Sequence, residues 1–253
     1  MGGPALALGW GMRPLVLSMF LGGFAIGCGG AAPRVSAPEL SPQATRGTAG
    51  PSEQIGAAMG VSGLHGTLSP REVRRALRPH MDALTGCFVI QAASFESLGG
   101  QIRMAIRIDG DGGVRSVHAE DSTVGDREVE RCVRRTLRSV RFPRTHGGGE
   151  ALVRWALSVQ PPETARQART WSSERVARVV RRRGAQALER CNAGSAVQVT
   201  AYLSRRGRVI RAGAASTEGH DDEVLDCVVD RVRRWRMPRT RARGVTKVTF
   251  EIG

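Results

Sequence analysis

The sequence predicts an α+β fold made of two successive small domains of one design. Three features carry that reading: matching motifs that recur in the same order, a switch between helical and strand periodicity within each copy, and one pair of cysteines per copy. A chain of 253 residues accommodates two domains of about 100 residues each. Its 41% apolar content is enough for packed cores.

Leu68-Ser69-Pro70-Arg71-Glu72-Val73 is echoed by Trp171-Ser172-Ser173-Glu174-Arg175-Val176. Ser122-Thr123 returns as Ser216-Thr217, and Glu128-Val129-Glu130-Arg131-Cys132-Val133 as Glu223-Val224-Leu225-Asp226-Cys227-Val228. Arg141-Phe142-Pro143-Arg144 returns as Arg236-Met237-Pro238-Arg239. Matches in one order imply a duplication, with copies at 66–160 and 171–253.

Each copy reads as helix, strand, strand, helix, strand. Ser69 is a good N-cap, followed by Pro70 and by Glu72 three residues on. Val73, Ala76, Leu77, His80, Met81, Leu84, Cys87 and Phe88 then form a helical stripe, which Pro79 should kink. Ile102, Met104, Ile106 and Ile108 alternate as a strand. Asp109-Gly110-Asp111-Gly112-Gly113 turns the chain, and Val114–Glu120 returns. The second helix turns Val129, Cys132, Val133, Leu137 and Val140 inward and stops at Pro143. A last strand alternates through Val153, Trp155, Leu157 and Val159, with a counterpart through Thr246, Val248, Phe250 and Ile252.

Ahead of the repeat, Pro14–Ile26 is an apolar run behind Arg13, too short to span a bilayer and of signal-peptide length. It ends in Ala25-Ile26-Gly27-Cys28, which resembles a bacterial lipobox. Residues 1–27 are therefore expected to be a lipoprotein signal peptide, starting at Met1 or Met12, with Cys28 the acylated residue. Gly29 in place of aspartate favours the outer membrane, and the expected location is the periplasmic face of the envelope. Residues 28–65, rich in Ala, Gly, Pro and Ser, read as a flexible linker.

Four cysteines remain, and four allow three pairings. Each copy must close its own core, so the repeat selects Cys87–Cys132 and Cys191–Cys227, and an oxidising compartment favours bonding. No Cys-x-x-Cys or zinc spacing occurs, so thiol redox chemistry or metal binding by these residues is not expected.

The formal charge is +15, and Lys247 is the only lysine among 38 basic residues. The excess is uneven: residues 66–160 carry 15 basic and 11 acidic groups, residues 161–253 carry 20 and 10. Arg181-Arg182-Arg183, Arg205-Arg206, Arg233-Arg234-Arg236 and Arg239-Arg241-Arg243 concentrate cations in the second copy. A solvated face is the ordinary explanation. The functional one is recognition of an anionic envelope polymer, lipopolysaccharide or peptidoglycan, by guanidinium forks. With 4% aromatics, stacking is not a dominant binding mode, and nucleic acid fits neither compartment nor composition.

Asp109, Asp111 and Glu120 have partial EF-hand spacing, but Gly113 and Val114 stand where an oxygen ligand and glycine are needed, so a hairpin turn is expected. His80 and His118 read as packing residues, and His146-Gly147-Gly148-Gly149 as a strand connection. No Gly-x-Ser-x-Gly, P-loop or His-Glu-x-x-His occurs. The chain is thus expected to be no enzyme and to take no cofactor or metal.

Taken together, Gly66, Leu68, Ser69, Cys87, Phe88, Leu98, Gly100, Asp109, Asp111, Gly112 and Val114 resemble a known pattern, continued by Ser122, Thr123, Gly125, Val129, Cys132, Phe142 and Pro143. It is similar to the AgmX/PglI C-terminal domain of gliding-motility proteins, a relative of the TonB C-terminal fold. The resemblance covers 66–160, and more weakly 171–253, where the turn Ser204-Arg205-Arg206-Gly207 lacks aspartates and Met237 replaces the aromatic. It implies two tandem TonB C-terminal-like α-β-β-α-β domains in an envelope interaction module, serving a motility or other envelope complex. It also implies open sheet edges that take up an envelope protein by strand addition.

Overall fold

Ser69 opens the first helix. Its hydroxyl accepts the Glu72 N–H at 3.3 Å, and the Glu72 carboxylate accepts the Ser69 N–H at 2.8 Å. Helix α1 (Pro70–Leu77) gives way at Pro79 to a 3-10 turn, Arg78–His80, before α2 (Met81–Ala92). The one kinked helix expected from the stripe is therefore two helices. In the computed structural model, residues 60–63, 65–161, 163–241 and 243–253 are described. The expected signal segment, Cys28 and most of the expected linker lie outside the described residues.

The rest of the first half is β2 (Gly100–Ile108), β3 (Val114–Ser122), α3 (Arg127–Arg138) and β4 (Ala151–Val159). Asp126 caps α3, accepting the Glu128 and Val129 N–H groups. The second half contains β5 (Arg169–Trp171), α4 (Ala177–Arg190), β6 (Val197–Leu203), β7 (Val209–Ala215), α5 (Asp222–Arg233) and β8 (Thr246–Ile252). The fold is α+β.

Two four-stranded sheets result, ordered β1-β4-β2-β3 and β5-β8-β6-β7. Strand β1 is Gly60–Gly63, antiparallel to β4, whereas β5 runs parallel to β8. Two expectations are corrected here. The linker assigned to 28–65 contains a sheet strand, and the second domain assigned to 171–253 takes in β5 from Arg169. Each half thus carries an outer strand before its first helix, which hydrophobic alternation does not reveal because Gly60–Gly63 and Arg169–Trp171 are so short.

Alternation decides which faces are buried. Ile102, Met104, Ile106 and Ile108 are fully buried beneath Leu84, Phe88, Val129, Val133 and Leu137. The second core gathers Val176, Leu188, Val199, Val228, Val248 and Phe250. Disulfides Cys87–Cys132 and Cys191–Cys227, with Cα separations of 5.7 and 5.6 Å, tie α2 to α3 and the end of α4 to α5.

The described residues form one compact unit, because the sheet edges β3 and β7 meet. Ser216 donates its N–H to the Ala119 carbonyl at 2.9 Å. The Ser122 N–H is taken by the Gln198 side chain and the Ser122 carbonyl by the Thr200 hydroxyl, both at 2.8 Å. These edge groups of β3, which could otherwise pair with another strand, are satisfied across the seam. The expectation of open edges is therefore corrected at β3 and β7. Tyr202 of β6 is fully buried in the first core and exchanges hydrogen bonds with Gly99, its hydroxyl donating at 3.2 Å.

The seam also buries charge. Arg127 donates to Asp226 at 2.6 Å and to Asp222 at 2.5 Å, and Arg134 pairs with Asp222 and Arg211 with Asp126. Glu130 accepts the Ser122 hydroxyl at 2.7 Å and the Ala214 N–H at 2.8 Å, with Arg127 at 3.7 Å.

Candidate anion-binding face

The turn Ser204–Gly207 closes with the Gly207 N–H on the Ser204 carbonyl at 2.9 Å, and Gly207 takes φ 73°. A side chain there would meet the Met237 carbonyl as well as backbone strain. The Met237 N–H binds the Gly207 carbonyl at 2.9 Å and the Thr240 N–H binds the Arg205 carbonyl at 3.1 Å. These bonds fix the Arg205–Arg206 turn beside the Arg239–Arg241 segment.

Between them runs a groove of about 1140 Å³ lined by Arg205, Arg206, Arg239, Thr240 and Arg241. A neighbouring groove of about 640 Å³ shares Arg239–Arg241 and adds Arg169, Thr170, Trp171, Ser172 and Arg175. Trp171 is half-buried in this wall, and the Arg175 guanidinium lies 5.7 Å from its ring centre. The Thr240 side chain is buried and shares a 2.9 Å hydrogen bond with Thr246.

The other predicted arginines go elsewhere. Arg182 and Arg183 of α4 line a groove of about 460 Å³ with Arg231 of α5, Arg234 just beyond its end, and Trp235. Arg233 lies near the acidic seam beside Asp226 and Asp230. Arg236 is held by a backbone bridge to Arg208, and the Arg243 carbonyl accepts Arg166 at 3.3 Å. Arg181 is exposed on α4 outside these grooves. Sequence runs thus identified the cations but not their grouping, and missed Arg169, Arg175 and Trp171. The alignment of Trp171 with Leu68 was the available signal, since a core position had become aromatic.

On the first half's sheet and turns, Arg103, Arg107, Arg115, Arg141 and Arg154 each have Asp121, Glu150, Asp111 or Glu120 as partner, whereas Arg71, Arg74, Arg75, Arg78, Arg135, Arg138 and Arg144 are exposed outside any ion pair among the described residues. Among the described residues, no carboxylate lies within ion-pair distance of the predicted arginines of the second half, and all of them are exposed. Guanidiniums held beside one another without internal counter-charge attract an external anion.

The remaining candidates are occupied in structural work. The Asp109 N–H binds the Gly113 carbonyl at 2.8 Å, Asp111 accepts the Gly113 N–H at 3.3 Å, and Arg154 binds Glu120 at 3.0 Å. Among the described residues, no group of three or more His, Cys, Asp or Glu side chains could hold a metal ion. His80 is half-buried in the 3-10 turn. His118 is half-buried against Gly219, and burial holds its imidazole below the ordinary value. His146 is fixed by the exchange with Thr67 and by Glu72 at 3.1 Å, so it anchors a connection expected to be loose. The Ser69 N–H, then the Ser69 hydroxyl, holds the Glu72 carboxyl below its usual range. No helix among the described residues is long and apolar enough to cross a membrane.

No family model, curated protein or solved structure matches the chain significantly.

Proposed function

We propose that this protein is a non-enzymatic, lipid-anchored component of the cell envelope, built of two tandem TonB C-terminal-like domains, whose second domain grips an anionic envelope polymer. The single observation behind the binding role is the grouping of exposed guanidiniums along two adjoining grooves of the second half, Arg205, Arg206, Arg239 and Arg241 with Arg169 and Arg175, with no carboxylate within ion-pair distance among the described residues. Tandem copies are supported by equivalent hydrogen bonds. Phe142 to Gly112 and Thr145 to Gly110 correspond to Met237 to Gly207 and Thr240 to Arg205.

The test is binding of the full chain to isolated lipopolysaccharide and peptidoglycan. Affinity should fall at least about tenfold as salt rises from roughly 50 to 500 mM and the Debye length shrinks. Absent or salt-insensitive binding overturns the role. Intact mass measurement on protein extracted from membranes tests acylation at Cys28.

A second reading, an adaptor that holds another envelope protein, is favoured by Val89 and Ile90 of α2, which are 62% and 68% exposed. The β3 and β7 edges face one another across the seam, so this contact would use the helix or the outer edges. Recovery of one protein partner by crosslinking, lost in Ile90→Glu, supports this reading; unchanged recovery removes it.

A further inference from the structure

We infer that the groove between Trp171 and the Arg239–Arg241 segment is a binding site for a phosphorylated saccharide. The inference rests on the anionic-polymer reading above and assigns it a place and a ligand class.

The first half supplies an internal control. There the Thr67 N–H binds the His146 carbonyl at 3.0 Å and the His146 N–H binds the Thr67 carbonyl at 2.9 Å, zipping the two segments together. The adjoining bond, Gly66 N–H to Glu150 carbonyl at 3.1 Å, has its counterpart in Arg169 N–H to Val245 carbonyl at 3.0 Å. That match makes Thr170, which is in register with Lys247 of β8, and Arg241 the equivalents of Thr67 and His146. Instead of being zipped, they line an open groove of about 640 Å³, a size typical of small-molecule clefts.

The side chains change with the opening. Glu72 and His146, in contact at 3.1 Å in the first half, correspond to Arg175 and Arg241. Asp111 of the first turn corresponds to Arg206, and the buried Leu68 to the half-buried Trp171. A carboxylate–imidazole hydrogen bond has become two cations, an acidic turn a basic one, and a core aliphatic a groove-wall indole. Two exposed cations lining one groove favour an anion from outside.

The chemistry selects phosphate on a sugar. Guanidiniums line this groove from two segments, Arg239–Arg241 and Arg169 with Arg175, and the Arg205–Arg206 turn lines the adjoining groove that shares the Arg239–Arg241 wall. A carboxylate fills one fork, whereas a phosphate offers three acceptor oxygens and nearly two charges. Trp171 gives a flat apolar surface for one sugar ring, and the adjacent Thr170 and Ser172 offer hydroxyls at hydrogen-bonding range of the groove.

Calorimetry on the full chain tests this, with a glucosamine disaccharide phosphorylated at both ends, the same disaccharide without phosphate, and inorganic pyrophosphate. The bisphosphate should bind, and removal of its phosphates should weaken binding at least about tenfold. Arg175→Glu with Arg241→His reinstates the residue types of the first-half Glu72–His146 contact, so the variant has reason to fold, and should weaken the bisphosphate about a hundredfold. Trp171→Ala should weaken the disaccharide bisphosphate several-fold while leaving pyrophosphate unchanged, and Arg182→Ala with Arg183→Ala should change neither. Intact disulfides and circular dichroism confirm folding of each. Wild-type affinity in the Arg175/Arg241 variant, or an equal loss in the Arg182/Arg183 variant, overturns the groove while leaving polymer binding by the basic face standing. No binding of lipopolysaccharide or peptidoglycan by the wild type overturns both.

Discussion

Glu130 on α3 accepts the N–H of Ala214 on β7 at 2.8 Å, so one carboxylate joins the two halves at the centre of their seam. Burial pushes its pKa from 4.5 up to about 7, against the opposing pull of Arg127, the Ser122 hydroxyl and the Ala214 N–H. Between those values the folded protein holds a proton that the unfolded chain has released. Stability should therefore fall as pH rises from about 4.5 to about 7, and level off above it. Glu130→Gln keeps an acceptor for Ala214 and a donor toward Ser122 without the charge. Urea denaturation at pH 5 to 8 should show that slope in the wild type and not in the variant. Equal slopes would refute the assignment.

Gly213 stands where a Cβ would run into the Glu130 carboxylate. Gly213→Ala should destabilise by about 2 kcal/mol, because a buried polar contact has to be displaced. Combined with Glu130→Ala, which opens that space, the cost should be less than the sum of the two. An additive double mutant would show that the clash is relieved elsewhere.

Arg127 has 7% of its side chain exposed, while its partners Asp222 and Asp226 keep 29% and 33%. Removing the buried member leaves Asp222 with Arg134 and Asp226 with Arg131, and takes the neighbouring cation from the buried Glu130. Arg127→Met should cost about 3 kcal/mol in denaturation experiments, at the low end for breaking a buried pair because the acids retain some water. Arg127→Lys should fall between, since one ammonium cannot reproduce the fork that reaches both acids.

The seam explains what the sequence hid. Periodicity exposed the helix and strand faces because burial in each half follows local alternation, as at Ile102, Met104, Ile106 and Ile108. Matching motifs assigned the cysteines because each pair lies inside one repeat. Glu130 and Arg127 escaped for the opposite reason. They flank the apolar stripe of α3 and read as solvent-facing, and only β7 and α5, about a hundred residues on, bury them. The grooves were hidden similarly: Arg206 and Arg241 are far apart in sequence and meet because of the Thr240 to Arg205 bond. Tyr202 gave no hint that it belongs to the first core, since strand alternation says which face is buried and not against what.

Lys247, the only lysine, marks a second titrating point of the seam. Its ammonium donates to the Gly99 carbonyl at 2.7 Å and lies 5.5 Å from the Tyr202 ring centre. Gly100 leaves little room beside it, since a Cβ there would stand 3.0 Å from Nζ, so a compact point charge fits where a guanidinium would crowd. Burial lowers its pKa from 10.5 to about 8. From about 8 upward the folded protein sheds a proton that the unfolded chain keeps, so stability should rise from pH 8 toward 10. Tyr202 acts in the other direction: burial raises its hydroxyl from 10.0 to about 12, so above pH 10 the folded state retains a proton the unfolded chain loses, and stability should fall. The wild type should therefore show a local stability maximum near pH 10, above the minimum left by Glu130 between about pH 7 and 8, in non-reducing urea denaturation. Lys247→Met should abolish the rise between pH 8 and 10 and keep the later fall, whereas a rise that survives in Lys247→Met would place the titrating amine elsewhere.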